Sequence, residues 1–247
     1  KEWFLVECMQ IGRGERDMNK LHSGKVKTVY ETDHPGEVLI EYHDKVTAGN
    51  GEKEDYPEGK GSVCCRISEI VFRKLEEIGV ATHYLRMLDR NTMICKKVDI
   101  VPLEVIVRNL AAGSIVRQTN FNEGKLFYKP LVEFHLKDDS KNDPLLTPDR
   151  MKLMGYDPET FIETALKVNT ALIKLFYQID LDLVDFKIEF GYDSEGNLLL
   201  ADELSPDSCR LWKTGTHQSM DKDLFRNSTG DIVSAYDKIL TDLSSIQ

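Results

Sequence analysis

The sequence predicts an α+β protein with two lobes and a cleft between them. Three observations carry that expectation. Residues 19–107 read mostly as short strands around one helical pattern. Residues 183–203 read as a hairpin with one apolar and one charged face. Two capped helical patterns, opening at Asp157 and Asp231, flank that hairpin. No internal repeat or low-complexity tract competes with this organisation. The expected division is a segment 1–17 of its own, a small lobe over 18–98 and a larger lobe over 99–247.

In chain order, Trp3, Phe4 and the turn-prone Gly12-Arg13-Gly14 belong to an N-terminal appendage, and Met18 opens a more regular pattern. Val26, Val29 and Tyr30, then Val38, Leu39 and Ile40, mark short strands. Residues 49–61, rich in glycine and charge, read as a long loop of the kind that often carries function. Ser62 is expected to cap a helix with Cys64, Ile67, Val71, Leu75 and Ile78 on one face, stopped by Gly79. Extended segments follow over 84–88, 93–98 and 103–107, and 120–143 reads as loop and strand. Asp157 as N-cap, with Pro158 in the first turn, opens the clearest helix; Phe161, Ala165, Val168, Leu172 and Phe176 keep its 3.6 period. Over 183–191, Val184, Phe186, Ile188 and Phe190 alternate with Asp185, Lys187 and Glu189, the period-two signature of a strand. A turn over 193–197 leads to a second strand over 198–203. Asp231 caps a last helix bearing Val233, Tyr236, Leu240 and Leu243.

At 247 residues, 41% hydrophobic and 30% charged, the chain has enough apolar material for one large domain or two intimate lobes. A formal charge of −10 argues against a general nucleic-acid binder, whose phosphate contacts need a basic surface. It leaves room for small phosphorylated ligands, which need only a local cluster of Lys and Arg. Cys8, Cys64, Cys65, Cys95 and Cys209 form an odd set with no CxxC pair, which points to a reducing compartment, not to a disulfide framework or structural zinc. No apolar run approaches the roughly 20 residues of a membrane helix, and the N-terminus lacks a signal-peptide pattern. The expected location is the cytoplasm. Asn227-Ser228-Thr229 fits a glycosylation sequon and, without secretion, is read as coincidence.

The charged face of the hairpin is the most specific chemical signal. A hairpin centred between Glu195 and Gly196 sets Asp202 directly opposite Glu189. Carboxylates facing each other across a ladder repel, and a divalent cation between them turns the liability into a binding site. Mg²⁺ suits one or two carboxylates completed by water and phosphate oxygens. Lys187, on the same face, is placed to reach a phosphate or a substrate carboxylate; the bland alternative is a solvated strand face. Lys25 and Lys27 follow Gly24 on one face of a strand, where glycine lets backbone N–H groups approach phosphate oxygens. Exposed Lys-x-Lys strands are common, however, and no GxxxxGK[ST] loop is present. The apolar strand from Val101 delivers Arg108 and breaks into Ala111-Ala112-Gly113-Ser114. Arg suits a bidentate grip on phosphate or carboxylate, and Ser114 with neighbouring backbone donors completes an anion nest. Asp207 and Arg210, three apart, either pair with each other or face a substrate amine and a phosphate. Lys137, Asp143 and Asp221-Lys222-Asp223 read as solvated. The histidines show no metal-ligand spacing, and there is no nucleophile triad. The residues alone describe an ATP-dependent enzyme acting on a second anionic substrate, either a kinase or a ligase.

Several motifs in order choose between these. They are Gly24-Lys25-x-Lys27-Thr28-x-Tyr30, then Pro102-x-Glu104…Arg108…Ala112-Gly113-Ser114, and Asp185-x-Lys187-x-Glu189-Phe190-Gly191. Asp202-Glu203…Ser205-Pro206-Asp207…Arg210-Leu211-Trp212 and Asp221-Lys222-Asp223…Phe225-Arg226 complete the set. From about residue 21 to about residue 240 the chain resembles the phosphoribosylaminoimidazole-succinocarboxamide synthases, or SAICAR synthetases. The resemblance implies a two-lobed, SAICAR synthase-like and ATP-grasp-like α+β fold with a kinase-like small N-terminal lobe. It implies a ligase of purine biosynthesis joining carboxyaminoimidazole ribonucleotide (CAIR) to L-aspartate, with ATP as co-substrate, Mg²⁺ as cofactor and an acyl phosphate on the way. It also implies a homodimer, with no nucleic-acid or membrane partner.

By matching motif positions, Lys25 and Lys27 are expected at the ATP phosphates, Glu104 at the ATP ribose, and the strand near 98–101 at the adenine. Glu189 and Asp202 are expected at Mg²⁺, in agreement with the hairpin argument. Arg108, Ser114 and Arg210 are expected at the CAIR phosphate, and Asp207 at its ribose or base near the reacting centre. Lys187 is expected by the reacting carboxylate or the aspartate. The chain departs from the family pattern at Asn50, where relatives often carry Asp in an Ala-Gly-Asp-Gly loop that binds the aspartate amine, and at Cys64-Cys65, where relatives often have Asn. Residues 1–17 have no counterpart in the family pattern, and at 247 residues a single function is expected, without the carboxylase domain fused to this activity in animals. A kinase would carry HRD or DFG motifs, which the chain lacks. A non-catalytic nucleotide binder would have lost part of the set Lys25, Lys27, Lys187, Glu189 and Asp202, which is intact.

Overall fold

Residue spacing becomes architecture through three sheets and six helices in the computed structural model, which describes residues 19–246. The segment 1–17, with Cys8, lies outside the described residues. The order is β1 (Lys20–Ser23), β2 (Lys27–Glu31), β3 (Glu37–Tyr42), β4 (Val46–Ala48), β5 (Lys53–Asp55), α1 (Lys60–Glu77), β6 (Tyr84–Met87) and β7 (Thr92–Lys96). There follow β8 (Asp99–Ile100), β9 (Leu103–Leu110), α2 (Ser114–Gln118), β10 (Leu126–Leu136), β11 (Leu145–Leu146), α3 (Pro148–Leu153) and α4 (Pro158–Tyr177). The chain closes with β12 (Leu181–Tyr192), β13 (Leu198–Ala201), β14 (Cys209–Lys213), α5 (Asp223–Arg226) and α6 (Ile232–Ser245).

The first sheet runs β1-β2-β3-β7-β6, with antiparallel neighbours throughout. The second runs β11-β10-β9-β12-β13, with β14 and β8 also pairing β12. The 12-residue β12 therefore meets four partners along its length, which is why the sequence motif it carries governs so much of the site. The loop expected over 49–61 is mostly the small hairpin β4–β5, joined by a 3-10 turn at Gly49–Gly51.

The helices follow their sequence signals with one correction. Asp157 accepts from the Glu159 N–H and Asp231 from the Val233 and Ser234 N–H groups, as their cap positions require. Ser62 is not a cap. α1 begins three residues earlier, at Lys60 after Gly59 in a left-handed conformation, and the Ser62 hydroxyl donates instead to the Arg90 carbonyl at 3.1 Å. Gly79, at φ +74, ends the helix as expected.

One core serves both sheets: it runs from Val38 and Ile40 through α1 to Phe186 on β12 and Tyr236 on α6. Cys64 and Cys65 are buried in it, so these departures from the family pattern serve packing. Val184 does not join it. The β12–β14 ladder slips between Leu183 and Asp185, so Leu183 faces the main core while Val184 packs with Ala112 and Trp212 in a separate cluster.

The β12–β13 hairpin also differs from the expected register by one residue. Glu189 pairs with Ala201, not with Asp202. The three-residue loop Ser194-Glu195-Gly196, with Gly196 left-handed at φ +82, is closed by the Asp193 carboxylate accepting from the Glu195 and Asn197 N–H groups. An odd-numbered loop of this kind centres the hairpin on a residue, not on a bond.

Phe161 of α4 is 1% exposed and stands edge-on to Phe190 of β12, with ring centroids 5.2 Å apart. Phe161→Ala is expected to cost about 3–5 kcal/mol in urea unfolding. A loss below about 1 kcal/mol would show that α4 is not held through this contact.

Candidate active site

Three neighbouring strands build the first half of the site. Asp185 on β12 is directly opposite Arg108 on β9 and Arg210 on β14. Both guanidiniums donate to the same carboxylate oxygen, Arg108 at 3.1 Å and Arg210 at 2.5 Å. Arg108 is 3% exposed and uses its other nitrogens on Glu133 at 2.5 Å and on the Ser114 hydroxyl at 2.8 Å. Arg210 also donates to Asp223 at 2.7 Å, and Asp223 is held in turn by Arg226. Although burial alone disfavours its charge, Asp185 and Asp223 raise the Arg210 pKa further above its ordinary value.

Gly113 opens α2 beside this cluster. Its φ of +65 suits glycine, and a Cβ there would stand 2.8 Å from Arg210 Nη2. The expected grouping of Arg108, Ser114 and Arg210 is thus what the fold brings together. These three line a cavity of about 530 Å³ with Arg117, Arg226, Lys187 and Asp207. Asp207 and Arg210 do not pair with each other. Asp207 is held by Lys60 and Tyr236, because the chain turns between the two residues into β14.

The second half lies further along β12. Lys187 donates to Glu104 at 2.5 Å and stands 3.5 Å from Glu189. Glu189 is buried and is also paired with Lys137, which the sequence reading left in solvent. Asp202 leaves the strand with φ +65, an uncommon conformation that Asp tolerates better than most residues. Its carboxylate pairs with Lys27, whose Nζ is also 3.5 Å from Glu203. The segment before β6 anchors this corner: Ala81 and His83 hydrogen-bond Leu200 of β13 at 3.0 and 2.9 Å.

Although not opposed in register, Glu189 and Asp202 interact. Burial first, and then the Asp202 charge, push the Glu189 carboxyl above its ordinary pKa, with Lys187 and Lys137 opposing. Burial would raise Asp202 too, but Lys27 outweighs it and holds that carboxyl down at about 2. Among the described residues no group of three or more His, Cys, Asp or Glu is arranged around one point. Two carboxylates completed by water and phosphate oxygens remain, a donor set that fits Mg²⁺.

Lys25 and Lys27 do not share a strand face. Lys25 lies in the exposed turn between β1 and β2, whereas Lys27 opens β2 and is half-buried. Asn50 lies in the Gly49–Gly51 turn, and its side chain is outside the described residues. Asp221-Lys222-Asp223 is no solvated turn: Asp221 is fully buried, accepts from the Leu211 N–H at 2.8 Å and precedes the Asp223 grip on Arg210. Asp143 accepts from the Asp138 N–H at 2.8 Å. The sequence reading missed Asp185, Glu133, Arg117, Lys60 and Arg226 as members of the site. Asp185 had a usable signal in its place on the face of Lys187 and Glu189, and Arg226 in the motif that ends Phe225-Arg226.

A protein-family model described as SAICAR synthetase matches residues 20–243. A phosphoribosylaminoimidazole-succinocarboxamide synthase of Staphylococcus aureus strain MRSA252 is 44% identical over 234 residues, covering 93% of this chain and 100% of that one. A solved SAICAR synthetase (Type-2) in complex with ADP matches with a TM-score of 0.88 and 38% identity, over 91% of this chain and 97% of that one. The crystal structure of the corresponding synthase from Ehrlichia chaffeensis matches with a TM-score of 0.89 and 34% identity, over 93% and 100%. The fold and its paired charged clusters define an ATP-dependent ligase of the ATP-grasp-like α+β class. Within that class the chain belongs to the SAICAR synthetase family. Its reaction is ATP-dependent ligation of CAIR to L-aspartate in purine biosynthesis.

Asp185→Asn removes the charge shared by two desolvated guanidiniums. The expected loss is about 3 kcal/mol or more in urea unfolding. An unchanged midpoint would mean that the three-strand ion cluster contributes nothing to the fold.

Proposed function

We propose that the two halves of the cleft divide the ligation between them, with Lys187 at their junction. The observation that carries this reading is that Lys187 both lines the arginine-rich cavity and contacts Glu189 and Glu104 of the carboxylate cluster. Lys25 and Lys27 take the ATP phosphates, Glu104 the ATP ribose, and the strand near 98–101 the adenine. Glu189 and Asp202 hold Mg²⁺, which when bound neutralises phosphate charge and polarises the transferring phosphoryl group. Arg108, Ser114 and Arg210 take the CAIR phosphate, and Asp207 its ribose or base. Asn50, of the Gly49–Gly51 turn, is the residue assigned to L-aspartate.

On this reading the CAIR carboxylate attacks the γ-phosphorus of ATP and ADP leaves. The aspartate amine then attacks the resulting acyl phosphate and expels inorganic phosphate. The protein's work is positioning and charge stabilisation. Lys187 offers a cation to the carboxylate as it changes hands, and it is well suited to stay protonated: burial opposes the charge, but Glu104 and Glu189 raise its pKa above the ordinary lysine value. The division into a small lobe over 18–98 and a larger one over 99–247 belongs to the same proposal, supported by the separate sheets on either side of the Lys27–Asp202 contact.

A cytoplasmic homodimer completes it. The four described cysteines are all buried and unpaired, which suits a reducing compartment. Leu126 and Tyr128 leave exposed apolar surface on β10 for a second copy. No helix among the described residues is long and apolar enough to cross a membrane.

The test is ADP release from ATP and Mg²⁺ with CAIR, with and without L-aspartate, while the succinocarboxamide product is followed. Product in step with ADP, only when aspartate is present, supports the ligation course; a stable phosphorylated acceptor overturns it. Glu189→Gln is expected to raise the Mg²⁺ concentration needed for half-maximal rate by roughly tenfold or more while leaving the urea midpoint near that of the parent. Full activity of this variant at limiting Mg²⁺ would refute the metal assignment.

A further inference from the structure

The two bulkiest fully buried side chains among the described residues, Tyr236 at 0% and Lys60 at 1% exposure, meet at one carboxylate. Lys60, in the first turn of α1, donates to Asp207 Oδ2 and to the Lys45 carbonyl at 3.2 Å. Tyr236, on α6, donates its hydroxyl to Asp207 Oδ1 at 2.8 Å. The backbone of Asp207 is held as well, its N–H donating to the Ser205 hydroxyl at 3.1 Å. Asp207 lines the arginine-rich cavity, but neither Lys60 nor Tyr236 does.

Stability is a poor reason for this arrangement. Lysine is rarely buried, and a buried ion pair is often no better than apolar packing of the same volume. The first turn of a helix also disfavours a cation. What the pair supplies is orientation. Each oxygen of Asp207 receives one donor, and an ionised carboxylate offers about four acceptor sites in all. Asp207 lines the cavity with its side chain only 4% exposed, so little of that acceptor capacity is spent on solvent.

We propose that Lys60 and Tyr236 are positioning residues that lock the Asp207 carboxylate on the cavity wall as a preset acceptor for the bound ribonucleotide. This rests on the reading that the cavity takes CAIR. The charged and titratable groups around Asp207 are Lys60 and Cys64 from α1, Tyr236 from α6 and Lys222 ahead of α5. Burial would raise the Asp207 pKa, but Lys60, Lys222 and the Tyr236 hydroxyl bring it below the ordinary aspartate value. Removing a donor therefore moves protonation of Asp207 to higher pH.

The experiment compares Tyr236→Phe, Lys60→Met, Lys60→Arg and Asp207→Asn with the parent chain. Steady-state rates with CAIR, ATP and L-aspartate are measured from pH 5 to 9, and urea midpoints alongside. Tyr236→Phe is expected to fold, to lose about tenfold in kcat/KM for CAIR, and to shift the acid limb of its pH profile upward. Lys60→Arg should retain more activity than Lys60→Met. If Lys60→Met fails to fold, Tyr236→Phe decides. Lower urea midpoints with the parent's kcat, KM and acid limb would reduce the pair to packing and overturn the inference. Full activity of Asp207→Asn would instead remove the substrate role of Asp207 itself. An impaired Asp207→Asn beside an unaltered Tyr236→Phe would sink the positioning inference alone.

Discussion

One carboxylate oxygen of Asp185, shared by Arg108 and Arg210, organises the arginine-rich half of the site. Two guanidiniums beside each other in a desolvated sheet would repel, and neither would stay in place without a counter-charge between them. The register of β9, β12 and β14 provides it, because Asp185 is opposite both arginines. Glu133, Ser114 and Asp223 take up further donors, so the guanidiniums are fixed before any ligand arrives. Preset donors of this kind avoid reorganisation at the moment of reaction. Arg108, Arg210 and Arg226 line the cavity with carboxylate partners of their own, which keep them from collapsing onto one another.

The second half of the cleft is the inverse case, with carboxylates crowded together and lysines spread among them. Lys27, Lys137 and Lys187 each hold at least one acidic partner. This charge matching reconciles an acidic chain of net charge −10 with a role in handling polyanions. Average charge governs long-range steering and solubility, whereas binding of a phosphate depends on what lies within a few ångströms. β12 joins the two halves by carrying Asp185, Lys187 and Glu189 on one face, one residue for each cluster and one between.

Much of this was legible in the chain. Alternation along 183–191 identified the strand and its charged face, and the caps at Asp157 and Asp231 located α4 and α6. What escaped was whatever depended on a partner distant in sequence. Lys60 sits in a glycine-rich, charged stretch that reads as loop, and only the packing of α1 on α6 turns it into a buried cation. Lys137 and Asp223 look solvated because their partners, Glu189 and Arg210, are 52 and 13 residues away. The hairpin register differs by one residue from that of a symmetric turn because Asp193 closes an odd-numbered loop through side-chain hydrogen bonds.

The sequence by itself determined the periodicities, the helix ends, the apolar faces and the residue types available for chemistry, since each depends on neighbours a few positions away. Tertiary structure alone decided which charges meet. Ion pairing in a desolvated site depends on strand register and on the packing of distant segments, and local spacing does not encode either. Glu189 and Asp202 illustrate the boundary. Their spacing along the hairpin announced that they belong together, but the left-handed turn at Asp202 and the pull of Lys27 from another sheet set how they do.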